Sequence, residues 1–444
     1  MEYLLLILMI VVVGTVTVIA LAHPGVAMVL FLTAPMVKLA IMLAFPVART
    51  YDYTAIVLVI LGVSIFLYVL RHGLPRGVKY ADILVCLVIG LSVLLFTYPF
   101  TPSPRYGFEK LIRAGIVVPV GFIVPVLYFR NEKQGRRLLW LTGIVGLVVA
   151  VGTIVSPQQS YLPGAGRGTF LESNPIGTGV TIGLGVMACL ALGFDRLTRP
   201  WTRVFYLACI PLMMLGIFFT GSRGPLIGVV LCTMLYLVMN RRQLGMGRMM
   251  VIVLLGALTG IVVASQLPAE YWPRFLQMFG MGPIREEFSR SRTQFWVIAW
   301  RGFLDRPFFG YGVGSFSQGV GIGDFREYPH NMFLELLYEG GLAACLPIAA
   351  ASVIIFIRPL RPMKTFEGTS MHTVLLGFFL MVALCFEESM KSGDLSDNRQ
   401  IWFWAGCVMG CIQVARTQYS ELLQPEAAWD AEPVPLNPYT TSGP

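Results

Sequence analysis

Charge is what this chain has least of. Of its 444 residues only 13% are Asp, Glu, Lys or Arg, against roughly 25% in soluble globular proteins. That shortfall excludes an ordinary water-soluble fold. Histidine is rarer still, with four residues, so each is weighed singly. No cysteine stands in a hydrophilic loop: Cys86, Cys189, Cys209, Cys232, Cys345, Cys385, Cys407 and Cys411 all lie in apolar runs. This argues against a disulfide framework and against a C-x-x-C metal site, and leaves cysteine as a small apolar filler. The first residues, Met1-Glu2-Tyr3, lack a basic n-region and the run after them lacks a cleavage site, so that run is expected to persist as a helix. No internal repeat is found, which disfavours the inverted-repeat transporter folds.

What the chain does have is apolar length. It is 56% hydrophobic. About 20 apolar residues cross about 30 Å of hydrocarbon, and backbone groups in lipid must pair within the segment, so the spans are expected to be helices. Dense apolar runs exclude the alternating pattern of an outer-membrane barrel. The runs begin at about 2–22 and 26–45 and end at about 400–415. They predict an all-α polytopic membrane protein with about 12–13 transmembrane helices. Residues 1–416 form a single transmembrane domain, and 417–444, Pro-rich and acidic, form a disordered tail.

Basic residues fall in every second loop: Arg71, Arg76 and Lys79; Arg130, Lys133, Arg136 and Arg137; Arg196, Arg199 and Arg203; Arg241, Arg242 and Arg248; Arg358, Arg361 and Lys364. By the positive-inside rule these loops are cytoplasmic, as is the C-terminus. The opposite side carries the long segments, about 156–175 and 267–331. The second holds Trp272, Pro273 and an amphipathic stretch from about Ser289 to Phe303, expected as short helices on the membrane–water boundary.

Four outward segments carry candidate chemistry. In "FFTGSRGPLIGVV" Arg223 stands between two spans beside a helix start, a ready anion site, or else a guanidinium snorkelling to headgroups. In "SRSRTQFWVIAWRGFLDRPFFGYGVGSF" Arg292 lies one turn before Trp296. Asp305, Arg306 and Pro307 end the helix, and Gly310, Gly312 and Gly314 make a turn. Arg290 or Arg292 facing the same cavity as Arg223 would hold a pyrophosphate by bidentate, charge-assisted bonds. The plain alternative is an interfacial helix with Trp belts. In "YPHNMFLELLYEGGL" His330 stands at a helix start, and Asn331, Glu335 and Glu339 form one polar stripe. That stripe should face a bundle interior or a wet cavity. A neutral His330 is a candidate base, or a structural cap. The remaining histidines, His23, His72 and His372, have no such setting. Finally "EESMKSGDLSDNRQIW" joins the last two spans as a polar loop or a cavity rim. Lys38 and Arg49 are further intramembrane or boundary cations.

Taken together, "GRGTFLESNPIGTGV", "TGSRGPLIG", R-x-x-x-W with "RPFFGYGVGSF", "HNMFLELLYEGGL" and "SGDLSDNRQIW" resemble the O-antigen ligase and O-antigen polymerase superfamily. The resemblance covers about residues 155–415. It implies a GT-C-like glycosyltransferase of the bacterial inner membrane, working on the periplasmic face. Its donor would be a glycan on undecaprenyl pyrophosphate. Its acceptor would be a sugar hydroxyl of lipid A–core for a ligase, or another lipid-linked repeat unit for a polymerase. No nucleotide sugar, cofactor or metal is implied, and no nucleic acid. Carried over residue by residue, Arg223 and Arg292 would bind the pyrophosphate, with Arg290 as rival to Arg292. Arg399 and Asn331 would contact substrate, and His330 would deprotonate the acceptor. One base and a stabilised leaving group suit single displacement with inversion; a retaining mechanism would want a close carboxylate pair, for which Glu335 and Glu339 are the candidates. A polyprenyl-glycan transporter or flippase would instead spread charge through the spans. A transferase onto protein is not separated from the ligase by these residues.

Overall fold

The computed structural model describes residues 11, 14–44, 53–75, 80–155, 158–159, 168–169, 174–195, 197–266 and 286–419. The readings made for Met1-Glu2-Tyr3, Arg49, Trp272, Pro273, most of 156–175 and the tail beyond 419 lie outside the described residues. So do the side chains of Lys38 and Arg290.

Every apolar run is helical over its described residues. Residues 14–22 (α1) are followed by α2 (Pro24–Ala44), α3 (Tyr53–His72), α4 (Ala81–Thr97), α5 (Pro104–Tyr128) and α6 (Glu132–Val155). Next come α7 (Pro175–Gly193), α8 (Pro200–Phe219), α9 (Arg223–Met239), α10 (Arg241–Gln266) and the amphipathic α11 (Glu286–Asp305). The chain closes with α12 (Met332–Ile357), α13 (Ser370–Ser389) and α14 (Arg399–Gln418). Among the described residues, seven helical segments are long and apolar enough to cross a membrane: α4, α5, α6, α7, α8, α12 and α13, the α4 and α12 segments running on to Phe100 and Thr365. Parts of α2, α3, α9 and α10 are apolar but shorter. The only strands among the described residues are the two-residue pair Gln158–Gln159 and Gly168–Thr169. The protein is therefore an all-α polytopic membrane protein.

The helices sort by how they are wrapped. α7, α13 and α14 are buried along nearly their whole length. They pack on α5, α6, α8 and α9, whose outer faces expose Ile116, Val148, Val204 and Leu231, as lipid-facing surfaces do. Close approach needs small residues: Gly146 of α6 meets Gly185 of α7, where an added Cβ would lie 2.6 Å from the Gly185 Cα. All eight cysteines are free, seven of them buried.

One helix is broken on purpose. Inside α12, Gly341 takes φ 60° and ψ −161°, a region open essentially only to glycine. The break frees backbone groups that a membrane segment must pair again. The stretch after α11 pairs them. Tyr311 N and Gly312 N donate to the carbonyls of Tyr338 and Glu339 at 2.9 Å each, and Leu342 N and Ala343 N donate to Pro307 and Phe308 at 2.8 and 3.1 Å. Gly310, at φ 64°, lies so close to the Tyr338 carbonyl that a side chain there would overlap it. The "RPFFGYG" turn is thus a splint for α12, and it ties the amphipathic helix α11 to the span that follows His330.

Candidate functional site

His330 sits just before α12. The first helical residue is Met332, and Asn331, not His330, is the cap: its Oδ1 accepts from Phe333 N and Leu334 N at 3.1 and 3.0 Å. The reading of His330 as a structural cap is corrected accordingly. A short amide one residue further on satisfies the free N–H groups better than an imidazole can. Asn331 also donates through Nδ2 to the Met390 carbonyl at 3.1 Å, which binds this corner to the end of α13.

His330 itself has φ 56°, the one positive φ at a non-glycine among the described residues. Such a conformation costs of order 1–3 kcal/mol and persists only where neighbours impose it. The neighbours are identifiable. Trp296 Nε1 of α11 donates to the Pro329 carbonyl at 2.9 Å on one side, and the Asn331 cap fixes the other. The imidazole lies between Phe295, near-parallel at 6.5 Å between ring centres, and Tyr328, edge-on at 4.7 Å. Its Nδ1 is buried with no hydrogen-bond partner among the described residues. Burial and the positive charge of Arg292 push its pKa down to about 4. The resting ring is therefore neutral, with a lone pair or N–H left for a ligand.

Arg292 stands one turn before Phe295 and Trp296 on α11, as the spacing predicts. Burial lowers its guanidinium pKa, the Glu388 carboxylate opposes that, and the Arg223 guanidinium adds to it. Arg223 opens α9 and is exposed. The end of α13 is laid against that helix start: a Cβ on Gly224 would meet Glu388 Oε2 at 2.8 Å, and Lys391 Nζ donates to the Gly224 carbonyl at 3.2 Å. So α9, α11, α13 and the segment before α12 converge on Arg292 at one end of the bundle: its charge acts on His330, and the charges of Arg223 and Glu388 act on it. Arg399 is elsewhere in that end, at the start of α14, over the ring of Phe31 at 5.2 Å. The Arg290 backbone is in α11.

Beneath this site is a charge network that the sequence reading did not assemble. Lys110 of α5, 1% exposed, pairs with Glu335 and donates to Glu339 Oε2 at 2.6 Å. Glu335 Oε2 accepts from Leu395 N at 3.0 Å. The polar stripe of α12 therefore faces the bundle interior, and both carboxylates serve one ammonium. Above them Arg326 donates to Asp394 Oδ2 at 3.1 Å and pairs with Asp397. Burial raises the Asp394 carboxyl, but the Arg326 and Lys110 charges and hydrogen bonds from Ser396 and Asp397 N hold it below its usual value. Asp324 accepts from Arg105 N and Tyr106 N at 2.9 Å each. The segment 324–330 is thereby strapped to α5 and to the loop before α14, and the strap delivers His330. The "SGDLSDNR" loop is tied through Arg326 to the segment before His330, and Asp394 is its buried anchor. A Lys at the edge of an apolar run was the available signal for Lys110.

The opposite end of the bundle is basic. Arg136 donates to Asp195 Oδ2 at 2.5 Å and to Thr198 Oγ1 at 2.8 Å, and Arg358 pairs with Asp82. His372 is buried there between Met363 O and Asn240 Oδ1 at 2.8 and 3.1 Å. Among the described residues, Arg136 and Arg358 thus lie at the end opposite Arg223, Arg292 and His330.

Residues 207–349 match the family model described as O-antigen ligase, a segment that holds Arg223, Arg292 and His330. An O-antigen ligase from Pseudomonas aeruginosa is 21% identical over 323 residues, covering 70% of this chain and 74% of that protein. The family-model segment takes in α9, α11 and the start of α12, and both comparisons liken this integral membrane protein to O-antigen ligases.

Proposed function

We propose that the protein transfers a glycan from undecaprenyl pyrophosphate to a sugar hydroxyl of lipid A–core on the periplasmic face of the bacterial inner membrane. The observation that carries this reading is that Arg292 lies within charge range of both Arg223 and a neutral His330, whose Nδ1 is buried with no hydrogen-bond partner among the described residues. Fixed guanidiniums neutralise a departing diphosphate without reorganisation at the moment of reaction. The imidazole takes the proton of the attacking hydroxyl, and the anomeric C–O bond to the diphosphate breaks as the new glycosidic bond forms, with inversion. No residue of this scheme requires a metal.

The free imidazole, with a pKa of about 4, is a weak base. A bound diphosphate cancels the Arg292 charge and places anionic oxygens nearby, and this raises the ring toward neutrality. Base strength is then acquired only with donor in place. The separation of the basic end from the site end favours one-sided chemistry over a flippase, which needs polar groups along the whole path. Arg290, Asn331 and Arg399 are assigned to substrate contact in the same reading. Asn331 does so with one N–H to spare beyond its cap and its bond to Met390. The test is incubation of purified protein with undecaprenyl-pyrophosphate glycan, with and without lipid A–core. One capped product that appears only with lipid A–core supports the ligase reading. A ladder formed without it assigns a polymerase.

A further inference from the structure

At the basic end, away from the site, a cavity of about 380 Å³ opens where the α1–α2 junction meets α3, α5 and α6. Its volume lies within the roughly 300–1,000 Å³ of small-molecule sites. Arg71 of α3 and Arg137 of α6 line it, with His23 and His72, and no Asp or Glu lines it among the described residues. One helical turn deeper on the same two faces stand Leu67 and Leu141, also in the lining. A cationic mouth over an aliphatic wall is the shape of an amphiphile with an anionic head. The two arginines are exposed, and they border the end of the bundle that the positive-inside pattern makes cytoplasmic.

A second observation points the same way. Arg130 lies over the ring of Tyr68, at 5.8 Å from its centre, and Tyr68 lines the cavity. Arg130 gives one bond to the Gly73 carbonyl at 2.5 Å, while its Nε and Nη1 are buried with no hydrogen-bond partner among the described residues. Arg130 does not itself line the cavity; it adds a third positive charge behind the Tyr68 wall. Arg137 also lines a neighbouring recess of about 340 Å³ with Arg136 and Arg199, so positive charge is concentrated on this side of α6.

We propose that this cavity binds the phosphate headgroup of an anionic phospholipid of the cytoplasmic leaflet, with the lipid's glycerol and upper chains against Leu67 and Leu141. Basic pockets between transmembrane helices recognise such headgroups, at about 1 kcal/mol per cation near the surface, or about fivefold each in binding. The test is native mass spectrometry of the full chain released from mixed micelles holding equal phosphatidylglycerol and phosphatidylcholine. The wild type should retain phosphatidylglycerol preferentially. The pair Arg71→Gln and Arg137→Gln should cut that preference about twenty-five-fold, and Arg71→Lys with Arg137→Lys should keep most of it. Thermal protection by phosphatidylglycerol but not by inorganic phosphate should follow the same order. Equal retention of both lipids by the wild type, an unchanged preference in the Gln pair, or equal protection by inorganic phosphate would overturn the proposal.

Discussion

Donor binding should move the pKa of His330, and the size of the move can be worked out. In the free protein burial and Arg292 hold the imidazole at about 4, against an ordinary 6.5. A depressed value means the neutral base is fully present at pH 6 and is lost only as pH falls through about 4. A disubstituted diphosphate brings two negative charges to the guanidiniums. One unit charge at about 5 Å in a medium of effective dielectric about 20 is worth about 3 kcal/mol, or about two pKa units. The ring should therefore titrate near 6 in the donor complex. The assay is transfer rate against pH with donor varied. The acidic limb of kcat/KM reports the free enzyme and that of kcat the complex, so the kcat limb should lie about two units higher. A single limb at the same pH in both profiles would refute donor-linked activation. A limb that survives His330→Ala would mean another group is the base.

Three further outcomes are expected. His330→Ala should lower the transfer rate by about 10²–10⁴ with an unchanged melting temperature in detergent; full activity would remove the imidazole from the reaction. Lys110→Met leaves Glu335 and Glu339 buried without their cation and should cost about 3–5 kcal/mol, seen as a large drop in melting temperature; a variant that melts like the wild type would show the triad is not structural. Gly341→Ala forces a side chain into a glycine-only conformation against Phe308. It should speed amide exchange at Tyr311 and Gly312, and unchanged protection there would contradict the splint.

Much of this was legible because hydrophobic length is a local property. Each apolar run became a helix over its described residues, and Arg292 fell one turn before Trp296 as counted. Other features needed three dimensions. Lys110 stands just ahead of an apolar run, where a solvated helix start is the ordinary meaning; only α12, more than 200 residues on, turns it into a buried counter-ion. The glycines at 310, 312 and 314 spell a turn, but nothing local says that the turn repairs a broken helix. Glu335 and Glu339 were rightly placed on one inward stripe, yet a stripe does not name its partner. Arg326 and Asp394 sit in loops of mixed charge where solvation is the default, and their pairing depends on how two loops cross. The capping role open to His330 falls to Asn331, because the two are adjacent and both polar and the strained φ of His330 leaves the cap to its neighbour.

The central claim is a division of labour between two cations that hold a diphosphate and an imidazole that moves a proton. Binding of undecaprenyl pyrophosphate to the purified protein, by calorimetry in detergent, tests it directly. Affinity should fall by about 10–100-fold in Arg223→Gln and in Arg292→Gln, from the loss of a charge-assisted pair of about 1.5–3 kcal/mol, and should stay within about threefold of wild type in His330→Ala while transfer is lost. Undiminished binding in both arginine variants, or binding that fails only in His330→Ala, would contradict the account.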